Sequence, residues 1–113
     1  MPSERLTQAL ESIELHATEA RLFVHGMTRE AFGEDRRTFH AVTRCLEIIS
    51  EATRRLTDEL KARHPALPWR DMADAGNLYR HAYDNVSSDF VYKTVTQDLE
   101  KVLAMARMEL ERL

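Results

Sequence analysis

The spacing of apolar side chains between positions 39 and 60 constrains this chain more than any other feature of its sequence. These side chains recur at alternating intervals of three and four residues, as in a helix with one buried stripe. They are Phe39, Val42, Leu46, Ile49, Thr53, Leu56 and Leu60. Asp35 is suited to cap the start of the helix, and Pro65 and Pro68 exclude its continuation. We predict one continuous helix here, the longest in the chain.

Three further helices follow from the same period. The first opens near Ser3, ends near Gly26 and buries Leu6, Leu10, Ile13, Ala17, Ala20 and Val24. The third runs from Pro68 and Trp69 to about Val86, with Met72, Ala75, Tyr79, Ala82 and Tyr83 on its apolar side. The fourth is capped by Ser87 or Ser88 and buries Val91, Val95, Leu99, Val102, Ala106 and Leu110. Residues 27–34 are interpreted as a short connection.

Few residues interrupt these helices, because the 113 residues include three glycines and three prolines. Four long helices with short joints predict an all-α fold, an antiparallel four-helix up-and-down bundle. The length suits a single domain over residues 1–113. A small helical domain often closes its core by pairing, so a homodimer is expected.

The charge balance limits the partners of the chain. A formal net charge of −3 gives no general attraction to nucleic acid or to an anionic membrane. DNA is therefore not expected as a partner, and any RNA contact requires a local basic patch. Cys45 is the single cysteine, which excludes an internal disulfide, and its apolar neighbours predict a small core residue. Without a secretory leader or a bilayer-length apolar run, we expect a soluble, cytoplasmic protein.

A polar stripe on the third predicted helix carries the chemistry. Its members, on one side at 100° per residue, are Arg70, Asp74, Asn77, Arg80, His81 and Asp84. Histidine serves as a general base or acid near neutral pH, and arginine holds phosphate and stabilises charge that develops on it. Asn77 is suited to orient the imidazole of His81 or a sugar hydroxyl. These groups suffice to cleave RNA by attack of its 2′-hydroxyl without a metal.

Other interpretations of the stripe stay open. A solvated helix face is the ordinary one, although the stripe lacks the usual Lys and Glu. No histidine pair has the spacing of a metal site, and a shared ion at His81 and Asp84 lacks a second pair of ligands. There is no glycine-rich phosphate loop either, so neither a metal nor a cofactor is expected.

Four stretches of the chain resemble the HEPN family, in particular the HepT-like toxins paired with minimal nucleotidyltransferase antitoxins. They are residues 41–52, 64–69, 76–83 and 91–99. The family signature is Arg, a polar residue that is often Asn, three variable residues and His, with Tyr two residues later in the toxin subgroup. Asn77, His81 and Tyr83 match this signature, whereas Gly76 stands in place of the Arg. Arg80 lies one turn after Gly76, and we take it as the substitute guanidinium.

The resemblance implies a homodimer in which two third helices face each other across a cleft lined by His81. It implies a metal-independent endoribonuclease, toxic to the cell, with His81, Arg80 and Asn77 as catalytic residues. It also implies a nucleotidyltransferase partner that in some systems transfers AMP to the tyrosine, here Tyr83. Two alternatives remain. Gly76 favours a non-catalytic HEPN module that binds a nucleotidyltransferase or a nucleotide, and the plainest hypothesis is a bundle that only mediates assembly.

Overall fold

The helices of the computed structural model begin at caps that the sequence supplies. The structure describes residues 3–81 and 86–113. Helix α1 (Glu4–Phe23) starts where Ser3 Oγ accepts the N–H of Leu6 at 2.9 Å. After the end of α1, Gly26 adopts a φ of 78°, a backbone conformation that residues with a side chain rarely adopt. The predicted start and end of the first helix are confirmed.

The other principal helices are α3 (Arg36–Thr53), α5 (Trp69–Arg80) and α7 (Leu99–Arg112). Three short helices join them: α2 (Arg29–Glu34), α4 (Asp58–Ala62) and α6 (Ser88–Lys93). A π-helical turn (Thr94–Asp98) links α6 to α7, so the predicted fourth helix is present as one rod with an inserted turn. The all-α architecture predicted from the sequence is confirmed.

The second predicted helix is wrong in its length. It ends at Thr53, and α4 starts separately with Thr57 Oγ1 accepting the N–H of Leu60 at 3.1 Å. Threonine favours a cap over a helix interior, because its hydroxyl bonds to the backbone of the next turn. Leu56 and Leu60 still reach the core, so the apolar spacing that predicted one helix persists across the break.

Two other predictions also need correction. The stretch interpreted as a connection contains α2, which Thr28 caps and whose Phe32 is fully buried. The third predicted helix does not reach Val86, since α5 ends at Arg80 and His81 is its C-cap. Tyr83 and Asp84 lie outside the described residues, and so does the shared ion considered for His81 and Asp84.

The core lies between α1, α3 and the α6–α7 rod. Helix α1 packs against α3 and α7, and α5 packs mainly against α3. Cys45 is buried in this core as predicted, and burial raises the pKa of its thiol to about 11. In residues 3–81 and 86–113, no helix has both the length and the hydropathy to span a membrane.

A cavity of about 310 Å³ lies between α3, α5 and the rod formed by α6 and α7. Met72, Ala75 and Tyr79 of α5 line it, opposite Thr94 and Asp98 of the π-helical turn. Burial raises the pKa of the Tyr79 hydroxyl. Helix α5 is thus the outermost rod, with a cavity along its apolar side.

A buried carboxylate fixes the connection between α4 and α5. Glu109 of α7 is 2% exposed and accepts from Arg63 Nη2 at 2.6 Å and Nε at 3.2 Å. His64 Nε2 lies 2.6 Å from the same carboxylate. Hydrogen bonds from Arg63 chiefly, and from His64, hold the pKa of Glu109 below its ordinary value. The connection that leads into α5 is therefore anchored to α7.

Candidate active site

Helix α5 is seated on α3 through hydrogen bonds to its backbone. Ser50 Oγ accepts the N–H of Gly76 at 2.8 Å and donates to the carbonyl oxygen of Ala73 at 3.1 Å. Arg54 donates to the same carbonyl from Nε at 3.2 Å and from Nη2 at 2.8 Å. These contacts fix the position and rotation of α5 in the turn that precedes Asn77, Arg80 and His81.

Gly76 is buried at this contact, and its lack of a side chain permits it. A Cβ at position 76 would lie 2.8 Å from Ser50 Oγ and 3.3 Å from Ser50 Cβ. A carbon atom does not approach a non-bonded oxygen to 2.8 Å, so any side chain at position 76 would push α5 away from α3. The departure of Gly76 from the signature arginine therefore has a physical basis in this chain.

Arg80 reaches back to α3 beside Gly76. Its Nε donates to Glu47 Oε2 at 3.0 Å, and its Nη2 donates to Glu51 Oε1 at 3.2 Å. The pKa of Arg80 is raised, chiefly by the hydrogen bond to Glu47, and the pKa of Glu47 is lowered by hydrogen bonds from Arg44 and Arg80. Glu51 Oε1 is also 3.5 Å from the place of a Cβ at Gly76. The guanidinium of Arg80 thus shares a neighbour with the position where the family carries its arginine.

Asn77 and His81 lie on the exposed side of α5, next to Arg80. Asn77 Oδ1 is 3.5 Å from Arg80 Nη1, and the backbone carbonyl of Asn77 accepts the N–H of His81 at 3.2 Å. The structure therefore brings all three predicted residues to the last turn of α5 and its cap. His81 is exposed in the single chain, so an enclosed cleft at this position needs walls from outside this chain. Tyr83, the predicted site of modification, lies outside the described residues.

The cavity beside α5 is a separate feature. Among the residues that the structure describes, its lining includes Met72, Ala75 and Tyr79 of α5 but not Asn77, Arg80 or His81. The candidate site is therefore an exposed polar surface and not this cavity.

The sequence did not single out the acidic residues that hold Arg80. Glu47 and Glu51 lie off the apolar stripe that predicts their helix. Their signal is a run of charged helical neighbours, two glutamates flanked by two arginines, namely Arg44, Glu47, Glu51 and Arg54. Such a run places two carboxylates side by side between two arginines. Together the two carboxylates can bind one further cationic side chain.

The chemistry available here is that of imidazole, amide and guanidinium groups. Within residues 3–81 and 86–113, His, Cys, Asp and Glu side chains form no group of three or more that could hold a metal ion. An imidazole exchanges protons near neutral pH, and a guanidinium stabilises charge on a phosphoryl group. These residues are therefore chemically able to transfer protons at a phosphodiester.

Comparison with known proteins identifies the family. Residues 13–108 match the model of the family described as "Ribonuclease HepT-like". A protein of Thermococcus cleftensis named "Probable ribonuclease HepT" is 36% identical over 96 residues, which cover 85% of this chain and 81% of that protein. "Putative RNase MJ0127" of Methanocaldococcus jannaschii is 28% identical over 95 residues, covering 84% of this chain and 78% of that protein.

No solved structure matches the chain significantly. The family model spans most of the chain, and the Thermococcus relative exceeds 30% identity over most of both sequences. The names of the relatives support a ribonuclease-type function. This chain belongs to the HepT-like ribonuclease family.

Proposed function

We propose that this chain is the toxin of a toxin–antitoxin pair: a cytoplasmic, metal-independent endoribonuclease whose cleft forms between two copies. The observation that carries the proposal is that Asn77, Arg80 and His81 share the end of α5, in a chain of the HepT-like ribonuclease family. The exposure of His81 in a single chain supports a site completed by a second copy.

The proposed reaction needs no group beyond these side chains. His81 of one copy removes the proton of a ribose 2′-hydroxyl, and the 2′-oxygen attacks the adjacent phosphorus. The bond from phosphorus to the 5′-oxygen breaks, and His81 of the second copy protonates that oxygen. The products are a 2′,3′-cyclic phosphate and a 5′-hydroxyl. Arg80 offsets the negative charge that grows on the phosphoryl oxygens, and Asn77 orients the imidazole or the ribose.

Replacing the imidazole tests the catalytic proposal. We expect His81→Ala to lower cleavage of a single-stranded RNA at least about 100-fold, since general acid–base catalysis contributes that much or more. His25→Ala is the matched control, because His25 is also exposed but lies beyond the end of α1. Excess EDTA should leave the wild-type rate unchanged. Equal rates for the wild type and His81→Ala would contradict the assignment.

Growth of cells that express the chain tests the toxin role. Expression without an antitoxin should slow growth, and His81→Ala should restore it.

We expect a minimal nucleotidyltransferase to bind the chain and to transfer AMP to Tyr83, adding negative charge beside an RNA-binding surface. Mass spectrometry after incubation with that enzyme and ATP would show one added AMP on the wild type. Its absence from Tyr83→Phe would locate the modification.

One observation favours a second function. Gly76 is buried against Ser50, so the arginine of the family signature has no room at its usual position. A chain without that arginine is suited to a non-catalytic role, as a binding partner of a nucleotidyltransferase. Tight binding of that partner together with no RNA cleavage, by the wild type and by His81→Ala alike, would establish this role.

A further inference from the structure

A row of alternating charges crosses from α3 to the end of α5. It comprises Arg44, Glu47, Arg80, Glu51 and Arg54, and we call it the charged row. Successive members are separated by 2.7, 3.0, 3.2 and 3.9 Å between nitrogen and oxygen atoms. Three arginines against two glutamates leave the row with a net positive charge, so it still attracts phosphate.

Arg80 is held at the centre of the row from one side. Its Nε and Nη2 face the two carboxylates of α3, while Nη1 faces Asn77 Oδ1 at 3.5 Å. A guanidinium carries five N–H groups in a plane, so N–H groups on Nη1 and Nη2 remain for a ligand. The carboxylates thus decide which edge of the guanidinium faces the predicted site.

The two carboxylates differ in how firmly they are held. The side chain of Glu47 is 14% exposed and also accepts from Arg44 Nη1 at 2.7 Å, whereas the side chain of Glu51 is 50% exposed. Without them, Arg80 would be a long side chain at the end of a helix, free to adopt many rotamers. Glu47 supplies the rigid anchor, and Glu51 sets the rotation of the guanidinium around it.

We propose that Glu47 and Glu51 are positioning residues that hold the guanidinium of Arg80 beside Gly76, with its remaining edge directed towards Asn77 and the phosphate. Glu51 Oε1 lies 3.2 Å from Arg80 Nη2 and 3.5 Å from the place of a Cβ at Gly76. The arrangement holds a guanidinium against a carboxylate that also borders the place of the missing side chain. This inference rests on the proposed ribonuclease function for its purpose, though not for its geometry.

The test uses Glu47→Gln, Glu51→Gln and the double variant in the full chain. The control is Glu14→Gln, which breaks an exposed ion pair of similar length, 3.2 Å to Arg107 Nε, between α1 and α7. The first readout is the NMR signal of the Arg80 Nε–H. It should be sharp and slow to exchange in the wild type and in Glu14→Gln, and broadened or absent in the double variant. A sharp signal in the double variant would overturn the proposal.

The second readout is the kinetics of RNA cleavage. We expect kcat to fall by about tenfold to a hundredfold in the double variant with little change in KM, because a catalytic group displaced by about 1 Å loses that much. The melting temperature of the double variant should stay close to that of Glu14→Gln. This result would exclude the explanation that the two glutamates only stabilise the fold. Unchanged cleavage would mean that the glutamates do not position Arg80 for the reaction, and faster cleavage would mean that they compete with RNA for it. Either result would overturn the proposal.

The two readouts separate this inference from the proposed function. If the wild-type chain does not cleave RNA, the ribonuclease proposal fails, while the NMR signal still confirms or refutes the hold on Arg80. If the wild type cleaves RNA and the double variant retains both its signal and its kcat, the ribonuclease proposal stands and this inference fails.

Discussion

At the scale of single residues, one missing side chain sets the distance between two helices. Gly76 lets the hydroxyl of Ser50 reach both the N–H of Gly76 and the carbonyl of Ala73. A glycine inside a helix costs stability relative to alanine, by about 1 kcal/mol. The hydrogen bonds that it permits are between buried or partly buried groups, where unpaired partners are costly. These hydrogen bonds therefore offset the destabilising effect of a glycine inside the helix.

We expect Gly76→Ala to lower the free energy of unfolding by up to about 2 kcal/mol. Overpacking typically costs about 1–3 kcal/mol, and the better helix propensity of alanine returns about 1 kcal/mol. In a Ser50→Ala background the substitution should cost less, because the 2.8 Å contact with the hydroxyl is gone. Urea unfolding of the four proteins in this double-mutant cycle measures the difference. A stabilising Gly76→Ala in the wild-type background would refute the argument.

The site residues show how far the sequence alone could reach. Asn77, Arg80 and His81 were predicted from helical spacing and from the resemblance, because both depend on positions within one helix. Glu47 and Glu51 were not predicted, because their role depends on which face of α3 meets α5. The contact between Ser50 and Gly76 fixes that face, and no pattern within either helix specifies it. The sequence thus predicted the residues on one element and missed the partners on the next.

At the scale of elements, short breaks escaped the prediction. The apolar spacing from Phe39 to Leu60 continues through the turn at residues 54–57, because Leu56 remains in the core. A local hydrogen bond from the N–H of Leu60 to the hydroxyl oxygen of Thr57 decides the break, and its strength is comparable to that of the helix bond it replaces. Periodicity therefore found the buried face correctly and the helix ends less well.

The connection before α5 depends on a carboxylate, and this gives a pH-dependent prediction. Glu109→Gln should lower the free energy of unfolding at neutral pH by about 1–3 kcal/mol, since Arg63 and His64 lose a buried acceptor. The pKa of Glu109 is lowered in the folded chain. Its contribution is therefore complete above the ordinary value of 4.5 and is lost as the pH falls through the lower, folded value.

Unfolding measured from pH 7 down to pH 3 checks this sign. The wild type should lose stability more steeply than Glu109→Gln below pH 4.5. Glu59→Gln is the control, because Glu59 also faces Arg63, at 3.9 Å, but is 89% exposed. Parallel curves for the wild type and Glu109→Gln would show that this carboxylate is not the group that titrates.

At the scale of the whole molecule, the position of α5 at the edge of the bundle matters most. Its core side packs mainly on α3, and its other sides face the cavity or the surroundings. Leu78 stands among the polar residues of the outer side and is 46% exposed. A large apolar side chain beside the polar stripe suits burial by a second copy.

We therefore expect Leu78→Asp to shift the chain from dimer to monomer and to lower RNA cleavage with it, since a charge in an apolar contact is costly to bury. Leu22→Asp is the control, because Leu22 is 68% exposed near the end of α1. Sedimentation velocity over a range of concentrations measures the dimer fraction. A Leu78→Asp protein that sediments as the wild type does would place the interface elsewhere.

The π-helical turn between α6 and α7 holds one residue more than a continuous α-helix would need there. The N–H of Leu99 donates to the carbonyl of Thr94, five residues earlier, whereas an α-helical bond spans four residues. Thr96 and Gln97 in this turn are exposed. Removing either residue would let the rod continue as a regular α-helix, with Val91 and Leu99 still on its buried side. The length of the chain at this point is therefore adjustable by one residue without loss of the core.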